Sequence, residues 1–368
     1  MSRPHPALVD LALGRELGAR ARDVAVVRSA IDHRMDGLLW SQVRDGRAEV
    51  VAAERSRLAG ADLLRQRRAG EHWTILVRTQ RQLAAHGLES VALKGVTVEA
   101  RWYDRVGERP TRDIDLWLDP RSTERFPDAV ACLDPVHPLR GSIGRMIASG
   151  DCQGIEVEVP GTTIDLHADP YKVRVRLPGV ESMFDRRVRV EGPDDVTVWA
   201  LAPEDALAQQ LVHLNRDSFR SLLGYLDIAR IAHRGELDWA ALWRTAEEDG
   251  LTYLVALGLR EVDRVLPLGT SLPAEPRGWR TRVWHRAWPE QVRLSGHEDM
   301  PRQRLRHDVI TVLIRGHLPA TLRGQWRSRL FPSRSMVDHA YPGQRGPYLW
   351  RLVRGRVRSF LHSRRPQD

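Results

Sequence analysis

Apolar positions along the chain follow one period, then another, then return to the first before the composition turns basic. Up to residue 86 they recur at spacings of three and four: Leu8, Leu11 and Leu13, then Val24, Val27, Ile31 and Leu38, then Leu58, Leu63 and Leu64. That is the spacing of helices burying one stripe. A longer helix is predicted over 54–85, through Trp73, Leu76 and Leu83. It ends at His86-Gly87, where glycine accepts the left-handed turn that closes a helix. No chemical constellation stands out in residues 1–86, which read as a helical cap on whatever follows.

Between 87 and 201 the pattern shortens to strand-like runs. Val91, Ala92 and Leu93 predict a buried strand, broken by Lys94-Gly95. Residues 96–103 can form a short helix, Arg109-Pro110 resets the chain, and 113–117 predict a second strand. A helix is expected over 121–133, opened by Ser122 or Thr123 and apolar at Phe126, Val130 and Leu133. Residues 134–153 read as loop from Pro135, Pro138, Gly141, Gly144 and Gly150. Alternation on both sides of Pro160-Gly161 predicts a hairpin over 154–167. One more strand, at 188–190 or 197–201, is expected to close the sheet.

Pro203-Glu204-Asp205 opens a helical stretch that runs to 266, with proline in the first turn and acids against the helix dipole. Residues 267–282 read as a linker, 309–318 as a short apolar helix or strand, and 350–361 as a basic amphipathic helix. The fold class is α+β. A small mixed sheet (87–201) lies between an N-terminal helical region (1–86) and a C-terminal helical domain (202–266), followed by a basic Arg/Trp-rich region (267–368).

Composition sharpens this. The net charge is +9, but residues 277–368 hold 20 Arg against 6 acids, a surplus of 14, so the first 276 residues stand at −5. The tail's arginines and its Trp279, Trp284, Trp288, Trp326 and Trp350 suit phosphate contacts and base stacking, or an anionic membrane surface. Only Lys94 and Lys172 are lysines, so Lys94 beside Gly95 stands out as a compact cation that a guanidinium does not replace freely. Two cysteines, Cys132 and Cys152, are too few for a disulfide framework or a four-thiolate zinc site. No run approaches the roughly 20 apolar residues of a membrane span, and no apolar signal core precedes the first charges, so a cytoplasmic protein is expected.

The chemistry concentrates in 91–118. Side chains alternate along a strand, so Asp113 and Asp115 are expected on one face. Two adjacent carboxylates repel unless a cation lies between them. Asp165 and His167, also two apart, share a face of the hairpin's second arm, and Glu156 and Glu158 on its first arm are competing carboxylates.

A strand, a glycine turn, a helix and then Asp-x-Asp on the next strand resemble the nucleotidyltransferase superfamily. More narrowly, Leu93-Lys94-Gly95 and the run from Arg109 to Asp113-Ile114-Asp115-Leu116 are similar to a bacterial family of uncharacterised nucleotidyltransferases with a Leu-Lys-Gly motif. Asp165-Leu166-His167 matches that family's third acidic motif, and Val212-His213-Leu214 and Leu226-Asp227-Ile228-Ala229 match its helical half.

The resemblance implies two Mg²⁺ ions on Asp113, Asp115 and Asp165, and phosphate binding by Lys94, Gly95 and Arg109. It further implies transfer of a nucleoside monophosphate, AMP from ATP first among the choices, to a hydroxyl of a small molecule, peptide or protein in natural-product tailoring. His167, His213 and Asp227 become accessory candidates, while on the residues alone His213 and Asp227 read as a buried polar pair satisfying each other. The alternatives are a nucleic-acid-binding or RNA 3′-end-modifying protein, and a catalytically silent scaffold.

Overall fold

The computed structural model of the chain describes residues 3–171, 177–234, 237–288, 294, 331–341 and 346–362. The expected 309–318 segment and Trp326 lie outside them. Three short helices come first: α1 (Pro6–Ala12), α2 (Val24–Asp32) and α3 (Asp36–Arg44). The long α4 (Ala52–Ala85) follows and stops at Gly87, which has φ +66°. Its buried face includes Leu58, Trp73, Leu76 and Leu83, while Leu63 and Leu64 point to solvent. Those two were expected in the apolar stripe, but they fall on the outer face of a helix that touches the sheet along one side only.

The sheet has six strands: β1 (Ser90–Ala92), β2 (Ile114–Leu118), β3 (Gly154–Val159), β4 (Thr162–His167), β5 (Val188–Glu191) and β6 (Thr197–Ala200). Their order is β3-β4-β2-β1-β6-β5. β2 pairs parallel with β4 and antiparallel with β1, and β1 runs parallel to β6, so the sheet is mixed. Both segments offered for the closing strand form strands, the antiparallel pair β5/β6, with β5 at the edge and β6 beside β1.

Alternation along these strands divides the core in two. Ile114, Leu116, Leu118, Ile164 and Leu166 face Trp73 and Leu76 of α4 and Phe126 and Val130 of α6 (Phe126–Leu133). Val91, Leu93 and Trp117 belong instead to a second cluster, shared with α1–α3 and the C-terminal helices. All five residues of β2 are buried because helices cover both faces. Gln80 of α4 ties the layers together: its amide donates to Ser90 O and Trp199 O and accepts from Trp199 N.

α5 (Val96–Trp102) lies between β1 and β2. The helix expected over 121–133 is split into a 3₁₀ turn (Pro120–Arg125), capped by Asp119, and then α6. Pro127 explains the break, since it lacks an N–H and is tolerated only in a first turn. Residues 134–153 contain α7 (Ile143–Ala148), formed because Ile143 and Met146, three apart, both bury. α8 (Val180–Asp185) precedes β5.

The C-terminal helices are α9 (Pro203–Arg216), α10 (Leu222–Arg234), α11 (Trp239–Glu248) and α12 (Thr252–Val265), with Asp238 capping α11 through Ala241 N. The expected linker over 267–282 ends inside α13 (Trp279–Ala287). Trp284 and Trp288 are buried there: Trp284 packs edge-on to Phe219 at 5.3 Å, and Trp288 Nε1 donates to Asn215 at 3.3 Å. These two tryptophans are therefore core residues and offer no face for a base. α14 (Arg334–Ala340) and α15 (Tyr348–His362) complete the described chain, the latter covering the expected basic amphipathic helix. No described helix is long and apolar enough to cross a membrane.

Candidate active site

The parallel register of β2 and β4 sets Asp115 beside Asp165 and Trp117 beside His167. The odd-numbered side chains of both strands point to the face covered by α9, opposite the Ile114/Leu116 face. Hence Asp115, Asp165 and His167 converge, each offering a ligand atom within 4.8 Å of the others. His167 Nε2 lies 3.0 Å from Asp115 Oδ1 and 3.4 Å from Asp165 Oδ2. They floor a cavity of about 260 Å³ walled by Gln209, His213 and Arg216 of α9.

Lys94, directly after β1, extends its ammonium to Asp115 Oδ2 at 3.3 Å and to His213 Nε2 at 3.3 Å. An ammonium only donates, so Nε2 of His213 accepts and its Nδ1 carries the proton, 3.4 Å from Asp217 Oδ2. Burial first, then Lys94, push the His213 ring down to about 3, which keeps it neutral. Burial works to raise the Asp115 carboxyl. The Lys94 ammonium and the His167 hydrogen bond overcome it and hold the carboxyl well below the usual range.

Asp113 occupies the bend before β2, exposed at the mouth of this cavity and of a smaller one of about 90 Å³ beside Gly95 and Arg112. Gly95 turns at φ +75°, and a Cβ there would lie 3.6 Å from Asp113 O, so the turn brings the two motifs together. Asp113 is thus next to the cluster of Asp115, Asp165 and His167 but outside it. Glu156 pairs in register with Asp165 on β3 but does not join the cluster, and Glu158 lies further along that edge strand.

Arg109 and Asp227 meet each other. Arg109 Nε and Nη2 reach the two oxygens of Asp227, both at 2.8 Å, and Tyr103 donates to the same carboxylate at 2.7 Å. Burial opposes the charge on Arg109, but Asp227 holds it protonated well above the ordinary arginine range. The sequence reading paired Asp227 with His213; the structure gives each a different cation, Arg109 for Asp227 and Lys94 for His213.

The stretch from 103 to 112 is clamped from several sides. Glu99 accepts from Gly107 N and Arg109 N at 2.8 and 3.0 Å, Ser41 donates to Glu108 at 2.7 Å, and Arg65 donates to Gly107 O at 2.9 Å. His72 of α4 lies 3.2 Å from Thr111 Oγ1 and 3.3 Å from Thr162 Oγ1, linking this stretch to the hairpin. Arg34, His72 and Glu99 were missed by sequence reasoning. For His72 and Glu99 the only signal was a polar side chain on an otherwise apolar helix face, which many satisfied core residues share; Arg34, in the turn between α2 and α3, carried none.

Glu99 gives a pH signature. Burial, only partly offset by its two backbone hydrogen bonds, raises its carboxyl from 4.5 to about 7. The folded state therefore favours the proton. The associated stability is whole below pH 4.5, fades as pH rises, and is gone above about 7, a span worth roughly 3 kcal/mol. Glu99→Gln keeps the accepting oxygen and removes the titration. Between pH 5 and pH 8 the melting temperature of the native protein should fall relative to the variant; parallel curves would refute this assignment.

A mixed sheet carrying converging carboxylates after a strand, glycine turn and helix defines a nucleotidyltransferase-type core. A family model described as uncharacterised nucleotidyltransferase matches residues 21–267, and the chain belongs to that family. Searches of curated proteins and of solved structures gave no match.

Proposed function

We propose that the protein transfers a nucleoside monophosphate, AMP from ATP as the first choice, to a hydroxyl of a small molecule, peptide or protein, with Mg²⁺. The observation that supports this most directly is the side-by-side register of Asp115 and Asp165, which gathers two carboxylates and an imidazole at the floor of a cavity. The donor set fits a divalent cation. Two carboxylates held together are costly unless positive charge separates them. Asp115 Oδ2 is buried without a hydrogen bond, its nearest cation the Lys94 ammonium. Asp115, Asp165 and His167 would hold one ion, and Asp113, facing the same cavity, would share a second. Bound Mg²⁺ supplies Lewis-acid charge to the phosphates and lowers the pKa of the attacking hydroxyl.

The chain's own residues do the rest. Lys94 sits where it can balance Asp115 and reach a phosphate, and neutral His213 keeps that ammonium oriented without adding charge. The Gly95 turn, at φ +75°, brings the glycine motif against the backbone of Asp113. Arg109, taken up by Asp227, positions the wall on which Asp113 stands. Gln209, His213 and Arg216 of helix α9 wall the cavity over that floor.

The test is direct. The protein is titrated calorimetrically with ATP, GTP, CTP and UTP in Mg²⁺, then assayed for pyrophosphate release with and without a chelator. Binding of at least one triphosphate, and chelator-sensitive release, are expected. No binding of any triphosphate would overturn the reading.

A further inference from the structure

A triphosphate brings three to four negative charges, while Arg109 is engaged by Asp227 and Lys94 by Asp115. The smaller cavity holds two more arginines. Arg112 is exposed, immediately before Asp113. Arg34 belongs to the N-terminal helical layer, in the turn between α2 and α3, where its backbone takes φ +60°. From there its Nη2 donates to Pro110 O at 2.9 Å, a carbonyl rather than a carboxylate.

Arg34 is thus drawn out of water toward like charges. Burial first, and then Arg109 and Arg112, push its guanidinium down to about 10, against the pull of Asp227 and Asp113. It remains charged at neutral pH, but at an electrostatic cost that an anion entering the cavity would relieve. A planar fork of donors is well matched to phosphate oxygens. The cavity it lines opens beside Gly95, Asp113 and Asp115, the residues that the proposed function assigns to phosphate and metal.

We propose that Arg34 and Arg112 form the clamp for the β- and γ-phosphates of the nucleotide, so that the N-terminal helical layer contributes a binding residue as well as cover. This rests on the nucleotidyl-transfer reading above, and it gives the conformation at Arg34 a purpose. Positive φ on a non-glycine residue costs energy and persists where the surroundings enforce it.

The experiment compares native protein, Arg34→Met, Arg34→Lys and Arg112→Met by calorimetry with Mg²⁺-tripolyphosphate, the four Mg²⁺-nucleoside triphosphates and the four monophosphates. Losing a charge-assisted contact should weaken tripolyphosphate and triphosphate binding roughly tenfold to a hundredfold in each Met variant. The lysine variant should recover part of it, and monophosphate binding should stay within about threefold of native. If native protein binds no triphosphate, the transfer reading itself fails. If it does bind and the Met variants bind equally well, or lose monophosphate and tripolyphosphate alike, the clamp alone is wrong. Should Arg34→Met fail to fold, exposed Arg112 and Arg34→Lys carry the same comparison.

Discussion

Asp115→Asn is expected to lose chelator-sensitive pyrophosphate release by about a thousandfold while remaining folded. Several kcal/mol of transition-state charge stabilisation depend on a metal-binding carboxylate, and each 1.4 kcal/mol is a decade in rate. The amide is nearly isosteric and can still accept from His167 Nε2, so the 3.0 Å contact has a substitute. Lys94 loses its anion, but its ammonium keeps the His213 contact and reaches a solvent-accessible cavity. A second readout separates chemistry from collapse: Mn²⁺ binding should weaken at least tenfold, with the far-ultraviolet spectrum unchanged. Retained release at the native rate would remove Asp115, and with it the proposed site. Asp165→Asn should behave alike, and the comparison with Asp113→Asn asks how much the exposed acid at the mouth contributes.

Asp227→Ala should be the most destabilising single change near the site, by about 3–5 kcal/mol, since it strands a buried guanidinium. Arg109 has two hydrogen bonds to this carboxylate, and Tyr103 loses its acceptor at the same time. Urea denaturation measures the loss. The double change Arg109→Met with Asp227→Leu should recover much of it, because the charge is removed with its partner. A loss under about 1 kcal/mol for the single change would show that the pair is not desolvated as described. This pair joins the loop before Asp113 to helix α10, so its loss should also loosen the mouth of the cavity.

Asp115, Asp165 and His167 were legible because period-two alternation assigns faces without knowledge of the fold, and the structure brings all three together. Asp113 was expected on the same strand face; it sits one step earlier, in the bend, where backbone pairing has not begun. Arg109 was read as a phosphate ligand from its place in a motif, and the structure pairs it with Asp227, 118 residues away. The tail's tryptophans were read by composition as stacking surfaces, yet Trp284 and Trp288 fill the helical core.

What the sequence determined on its own was local: helix and strand periods, the glycine turn at Gly95, the hairpin at Pro160-Gly161, and which side chains share a strand face. These depend on backbone sterics and on burial of one stripe or one face, which a short window of residues records. Tertiary structure alone decided which charges meet. Arg109 with Asp227, Lys94 with His213, and Arg34 against Pro110 are contacts across 76 to 119 residues, and Lys94 with Asp115 joins the ends of two neighbouring strands. Such pairings are set by how the helical layers dock on the two faces of the sheet, and an ionic side chain carries no mark of its partner until desolvation makes one necessary.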